Sequence, residues 1–84
     1  MDQTVSTIRH TLVLRRLEPG RNVARFYALM IERDLFGHVV LVRHWGRIGG
    51  WGRERTDEHV SEAAAAEALA KLAAAKRRRG YQDL

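Results

Sequence analysis

From Thr7 to Leu17 apolar and polar residues alternate, which is the two-residue period of a strand with one face turned to a core. Ile8, His10, Leu12, Leu14 and Arg16 share the face better suited to the interior, and Arg9, Thr11, Val13, Arg15 and Leu17 share the other. Glu18-Pro19-Gly20-Arg21-Asn22 reads as a turn, with Pro19 fixing φ and Gly20 placed to take the left-handed region. Val23 to Asp34 resumes the strand pattern, completing a hairpin. Tyr27, Leu29 and Ile31 fall on one face, and Phe26, Ala28 and Met30 on the other. Both faces are apolar, so the second is expected to be covered within the domain or to meet a partner. Leu35-Phe36-Gly37 turns the chain into a third strand, His38 to Trp45, valine-rich as a central strand should be. Arg53 to Val60 is charged and alternates weakly, which suits an edge strand that discourages pairing with other chains.

After Ser61 the period changes to that of a helix running to about Arg79, with Ala65, Leu69, Leu72, Ala73 and Lys76 on one stripe. Ser61 stands at the N-cap, Glu62 faces the positive end of the dipole, and Gly80 is a natural residue just past the end. The many alanines let such a helix lie close to a sheet. These elements predict an α+β fold, an antiparallel sheet of about four strands with one C-terminal helix packed on one face. A chain of 84 residues makes one domain, residues 1–84 with a core of about 4–81, and residues 1–6 are expected to be a frayed end.

The stretch Arg43 to Arg53 stands apart from this pattern. It holds both tryptophans and four of the seven glycines, so it predicts a tight reversal between strands at which another backbone or a ligand can approach closely. Alternation puts Arg43, Trp45 and Arg47 on one face, an aromatic plate between two guanidinium forks that suits phosphate beside base or sugar. A half-buried strand tryptophan is the plainer alternative, but burying Trp45 fully would bury two guanidinium groups with it, at several kcal/mol each unless they are paired. No G-x-x-x-x-G-K-[ST] pattern accompanies the glycines, and no helix follows them directly, so a nucleotide-binding loop is a poor reading.

The charge changes the picture further. Net charge is +5, and arginine supplies thirteen of the fifteen cationic residues, a balance that fits nucleic-acid binding and, equally, a merely soluble basic surface. Lys76-Arg77-Arg78-Arg79 closes the helix, where cations favour the dipole without any ligand, although four adjacent ones exceed what one helix end can use. With no cysteine there is no disulfide framework or thiolate metal site. His10, His38, His44 and His59 are scattered without metal-ligand spacing, and no nucleophile triad or carboxylate pair rises above chance. No signal peptide or membrane span is visible, and bacterial cytoplasm is the expected setting.

Trp45-Gly46-Arg47-Ile48-Gly49, preceded by Asn22-Val23-Ala24-Arg25-Phe26-Tyr27 and followed by the helix to Lys76 and by Gly80-Tyr81, resembles the WGR domain over roughly residues 4–81. That family is named for its Trp-Gly-Arg signature and occurs beside the catalytic domain of DNA-break-sensing poly(ADP-ribose) polymerases and in bacterial proteins. In it the matching Trp and Arg lie at the DNA end or at a domain interface, which the resemblance carries over to Trp45 and Arg47 alone. The family often continues into a further strand after the helix; this chain reaches only Leu84, so one sheet edge is expected to be unpaired.

The resulting expectation is a non-catalytic nucleic-acid-binding module, for DNA and at ends or breaks, without cofactor or metal. Arg43, Trp45, Arg47 and Arg53 form its centre, and Lys76, Arg77 and Arg78 widen the positive field. The rival expectation is a protein-interaction or self-association module that binds no nucleic acid, a homodimer in its simplest form, through Phe26, Ala28 and Met30 and the open edge.

Overall fold

A computed structural model describes residues 10–84. The expectations for the first nine residues, a frayed end and a strand beginning at Thr7 with Ile8 on its inner face, lie outside the described part. The elements in chain order are β1 (His10–Glu18), a single 3-10 turn (Pro19–Arg21), β2 (Val23–Arg33), β3 (Val39–Arg47), β4 (Arg53–His59), α1 (Glu62–Arg78) and β5 (Gln82–Asp83). The sheet is antiparallel throughout, in the order β4-β3-β2-β1-β5, with α1 against one face. The predicted α+β architecture is therefore present, with five strands rather than four.

Register explains which residues become core. Leu29 lies opposite Leu12, Tyr27 opposite Leu14, and Ile31 opposite Leu41, so alternate residues of three strands meet on the α1 side. There Leu14, Leu29, Ile31 and Leu41 are 0–2% exposed. Each such side chain contributes about 1.5–3 kcal/mol by leaving water. From the helix, Ala65 and Ala73 are buried and Leu69 and Leu72 pack beside them, the short alanines allowing the close approach that the sequence suggests. Phe26, Ala28 and Met30 project to the opposite face and are half-buried.

Both ends of α1 are capped. Ser61 Oγ accepts a hydrogen bond from the Ala64 amide at 3.0 Å. At the other end Gly80 takes φ +98°, its amide donates to Arg77 O, and the Tyr81 amide donates to Lys76 O at 3.1 Å. This Schellman arrangement reverses the chain, which seats Tyr81 in the core and delivers β5 to β1. Asp83 pairs with Leu14 and Gln82 with Arg15, and the Leu84 amide donates to Val13 O. The edge expected to be unpaired is thus partly occupied by the chain's own last residues, too short a segment to carry a strand signal in sequence. One turn also differs: Asn22, at φ 55°, takes the left-handed conformation expected of Gly20, because the 3-10 turn places it where its amide reaches back to Pro19 O.

Candidate nucleic-acid interface

Alternation along β3 carries Leu41, Arg43, Trp45 and Arg47 along one face, and the register shows that this is the α1 face. Leu41 is buried beneath α1, Arg43 and Trp45 are half-buried with Trp45 packed at the edge of the core cluster, and Arg47 is exposed. Lys76, in the last turn of α1, sits 4.5 Å from the Tyr27 ring centroid and 5.5 Å from that of Tyr81, marking the limit of the cover. Two clefts open there on either side of Trp45. One, about 240 Å³, is lined by Tyr27, Arg43, Trp45 and Lys76; the other, about 380 Å³, by Arg25, Trp45, Gly46, Arg47, Gly52 and Arg53.

Cross-strand pairing concentrates positive charge in this region. Arg16 lies opposite Arg25, and Arg25 opposite Arg47, so three arginines stand side by side across β1, β2 and β3. In the next row Tyr27 lies opposite Trp45, and Trp45 opposite Arg53. Like charges directly opposite one another destabilise a sheet. Arg16 is answered by Glu18, but among the described residues no ion pair includes Arg25, Arg47, Arg53 or Lys76. Burial holds Lys76 below the usual lysine pKa, and the charges of Arg79, Arg25 and Arg43 depress it further.

Arg43 behaves differently from its neighbours. Its side chain is only 20% exposed, and Nη2 donates to Asp57 Oδ2 at 2.9 Å. Burial pulls its pKa down, but the Tyr27 and Asp57 side chains outweigh that and hold it above the usual value. The pairing answers the cost of burying a guanidinium beside Trp45. One atom, Arg43 Nε, is buried without a hydrogen-bond partner among the described residues. Trp45 itself is half-buried, with its ring 6.3 Å from that of Tyr27.

The glycines set the floor of the larger cleft. A Cβ on Gly46 would come within 2.6 Å of Gly52 Cα, and one on Gly52 within 2.6 Å of Trp45 O, so the start and end of the β3–β4 turn touch backbone to backbone. Gly52 also has φ +75°, which favours glycine independently of the space.

The family model for the WGR domain matches residues 10–84. The chain belongs to the WGR domain family. A relative from Sinorhizobium fredii (strain NBRC 101917 / NGR234), described as "Uncharacterized protein y4dW", is 42% identical over 73 residues, covering 87% of this chain and 36% of the relative. The chain thus spans about a third of that relative's length. No solved structure gives a significant match. WGR domains are non-catalytic, and in poly(ADP-ribose) polymerases the domain is a nucleic-acid-binding module.

Five of the residues predicted for this WGR domain's site, Arg43, Trp45, Arg47, Arg53 and Lys76, line the two clefts. Two do not. Arg77 gives both its Nε and Nη2 to the Asp83 carboxylate at 2.8 Å, and this hydrogen bonding raises its pKa. Arg78 is exposed and lines neither cleft. Arg25 and Tyr27 also line the clefts without having been predicted to. The signal was available for Arg25, which stands two residues before Tyr27 and so shares the face assigned to Tyr27, Leu29 and Ile31. Among the described residues no group of three His, Asp or Glu could hold a metal, and no helix is long and apolar enough to cross a membrane.

Proposed function

We propose that this WGR domain binds nucleic acid, DNA at ends or breaks, by its phosphates, at the open end of the α1 face. Arg25 directly opposite Arg47 carries this reading, since two cations on neighbouring strands with no carboxylate partner among the described residues cost stability that an external anion restores. Arg53 and Lys76 extend the same field on either side of Trp45, a flat ring suited to a sugar or base. Arg43, tied to Asp57, contributes position and field rather than a free fork. The setting proposed is the bacterial cytoplasm, and nothing catalytic is assigned to the chain.

Binding at four cations should give a log-log salt slope of about −3 to −4 on duplex DNA. A titration of linear and covalently closed duplexes across salt concentrations measures both the slope and the end preference. An affinity that does not change with salt removes the phosphate assignment. The opposite sheet face, with Phe26, Ala28 and Met30 half-buried, supports a second reading as a protein-interaction or homodimer surface. Sedimentation at high protein concentration tests it, and a purely monomeric profile removes the homodimer.

A further inference from the structure

We infer that Trp51, which lies outside the Trp-Gly-Arg signature, is a stacking residue for an unpaired nucleobase whose phosphate occupies the Arg25-Arg47-Arg53 cleft. The inference rests on the nucleic-acid reading above and adds to it a choice among nucleic-acid forms. Trp51 is 97% exposed. Its ring therefore has no packing role among the described residues, while its backbone is held in place, the carbonyl oxygen accepting from His44 Nε2 at 3.1 Å.

Exposure alone would not single it out. Leu35, Phe36 and Val60 are 84–98% exposed too, but Leu35 and Phe36 sit in a turn whose charged neighbours include Asp34 and, through His38, Glu58. Trp51 instead is followed in the chain by Gly52 and Arg53, both lining the cationic cleft, and Arg47 lines it from the other strand of the same turn. In a nucleotide the base is joined to its phosphate through one sugar. A ring one residue away from a phosphate-holding cleft can address both parts of the same unit.

The turn that carries Trp51 is also held in shape. The Ile48 amide donates to Ala24 O and the Gly50 amide to Arg47 O, both at 2.9 Å, while a Cβ at Gly52 would come within 2.6–3.1 Å of Trp45 O, the Phe26 ring and His44, so no side chain fits there. A rigid backbone under an exposed indole reduces the ordering cost of stacking. Inside a duplex each base is already stacked on both faces, so away from a blunt terminus the indole can engage only a base that is unpaired or has left the stack.

The test uses two probes with identical duplexes, each closed by a hairpin at one end, the open end bearing a short single-stranded overhang in one probe and an abasic overhang of equal length and charge in the other. The parent should bind the probe with bases about 5- to 150-fold more tightly, the range of one stacking contact. Trp51→Ala should lose this difference while keeping its salt-dependent binding to the abasic probe and its melting temperature, and Trp51→Phe should keep most of the difference. If the parent binds both probes equally, or if Trp51→Ala discriminates as the parent does, the inference is overturned while nucleic-acid binding stands. If the parent binds neither probe at low salt, the nucleic-acid reading fails and takes this inference with it.

Discussion

Ile31, Leu29 and Leu41 at one end of the α1 face, and Arg25, Trp45 and Arg47 at the other, come from the same two strands in one unbroken alternation. The first three are 0–2% exposed, while Trp45 is half-buried and Arg25 and Arg47 are exposed. Nothing in strand geometry separates them. The separation is made by α1, whose last turn reaches Tyr27 through Lys76 before Gly80 reverses the chain toward β5. Periodicity assigns a residue to a face, and the reach of the covering helix then decides whether that part of the face is core or open surface. The chain follows this division, placing leucine and isoleucine where cover exists and arginine where it ends.

Substitutions at the two ends should therefore fail in different ways. Leu41→Ala opens a cavity under α1 and should cost about 2–5 kcal/mol of stability in chemical denaturation, while the folded fraction binds DNA as the parent does. Trp45→Ala should cost less stability than Leu41→Ala but weaken DNA binding by about 1–3 kcal/mol. Denaturation and binding curves on both variants check the pair. If Trp45→Ala destabilises as much as Leu41→Ala and leaves affinity intact, Trp45 belongs with the core and the division falls one residue pair further out.

Much of this division is written in the sequence, but not its position. Ser61 and Gly80 announce the two ends of α1, and the valine and leucine alternation announces β2 and β3, because caps and strand periods are local properties. That Arg43, Trp45 and Arg47 share a face is equally local. Which face it is depends on pairing register, and that is fixed by the length of the β2–β3 turn and by burial of Leu29 opposite Arg43, a non-local outcome. Arg77 illustrates the same limit. As one of four consecutive cations it looked available for phosphate, yet Asp83 reaches it only because the Schellman turn folds the chain back.

Lys76 sits on the boundary and offers a smaller, sharper separation. Its folded pKa is lowered, so in the alkaline window between the folded value and the unfolded one, about 10.4, the unfolded chain holds more protons and stability rises with pH. Below that window the charged amine is a net cost to the fold. Lys76→Met removes the charge, keeps an unbranched stem and places a thioether near the Tyr27 and Tyr81 rings. At neutral pH its melting temperature should equal or exceed the parent's, while DNA affinity falls and the salt slope shrinks by about one. A loss of stability with no change in slope would make Lys76 part of the core's lid instead of the site.

The smallest effect is expected from Asp83→Asn. The Arg77 guanidinium holds the Asp83 carboxyl below the usual aspartate range through its hydrogen bonds, with burial opposing and charge attraction assisting. A depressed carboxylate contributes its stability above the unfolded pKa of about 3.9 and loses it as pH falls through the folded value, so at neutral pH the pair is intact. Both partners are about half exposed, and β5 remains tied to β1 by backbone hydrogen bonds, so the substitution should barely move the melting temperature. It does release Arg77 and raise the net charge by one. If the field of the α1 C-terminus contributes to binding, affinity at low salt should rise by a few-fold and the gain should vanish at high salt. A gain that leaves the log-log salt slope almost unchanged places Arg77 outside the direct contacts and within reach of the electrostatic field, whereas a slope steeper by about one puts the freed guanidinium on a phosphate and extends the site beyond Lys76. No change at either salt confines the effective charge to Lys76, in the last turn of the helix, and to Arg25, Arg47 and Arg53, which lie past its reach.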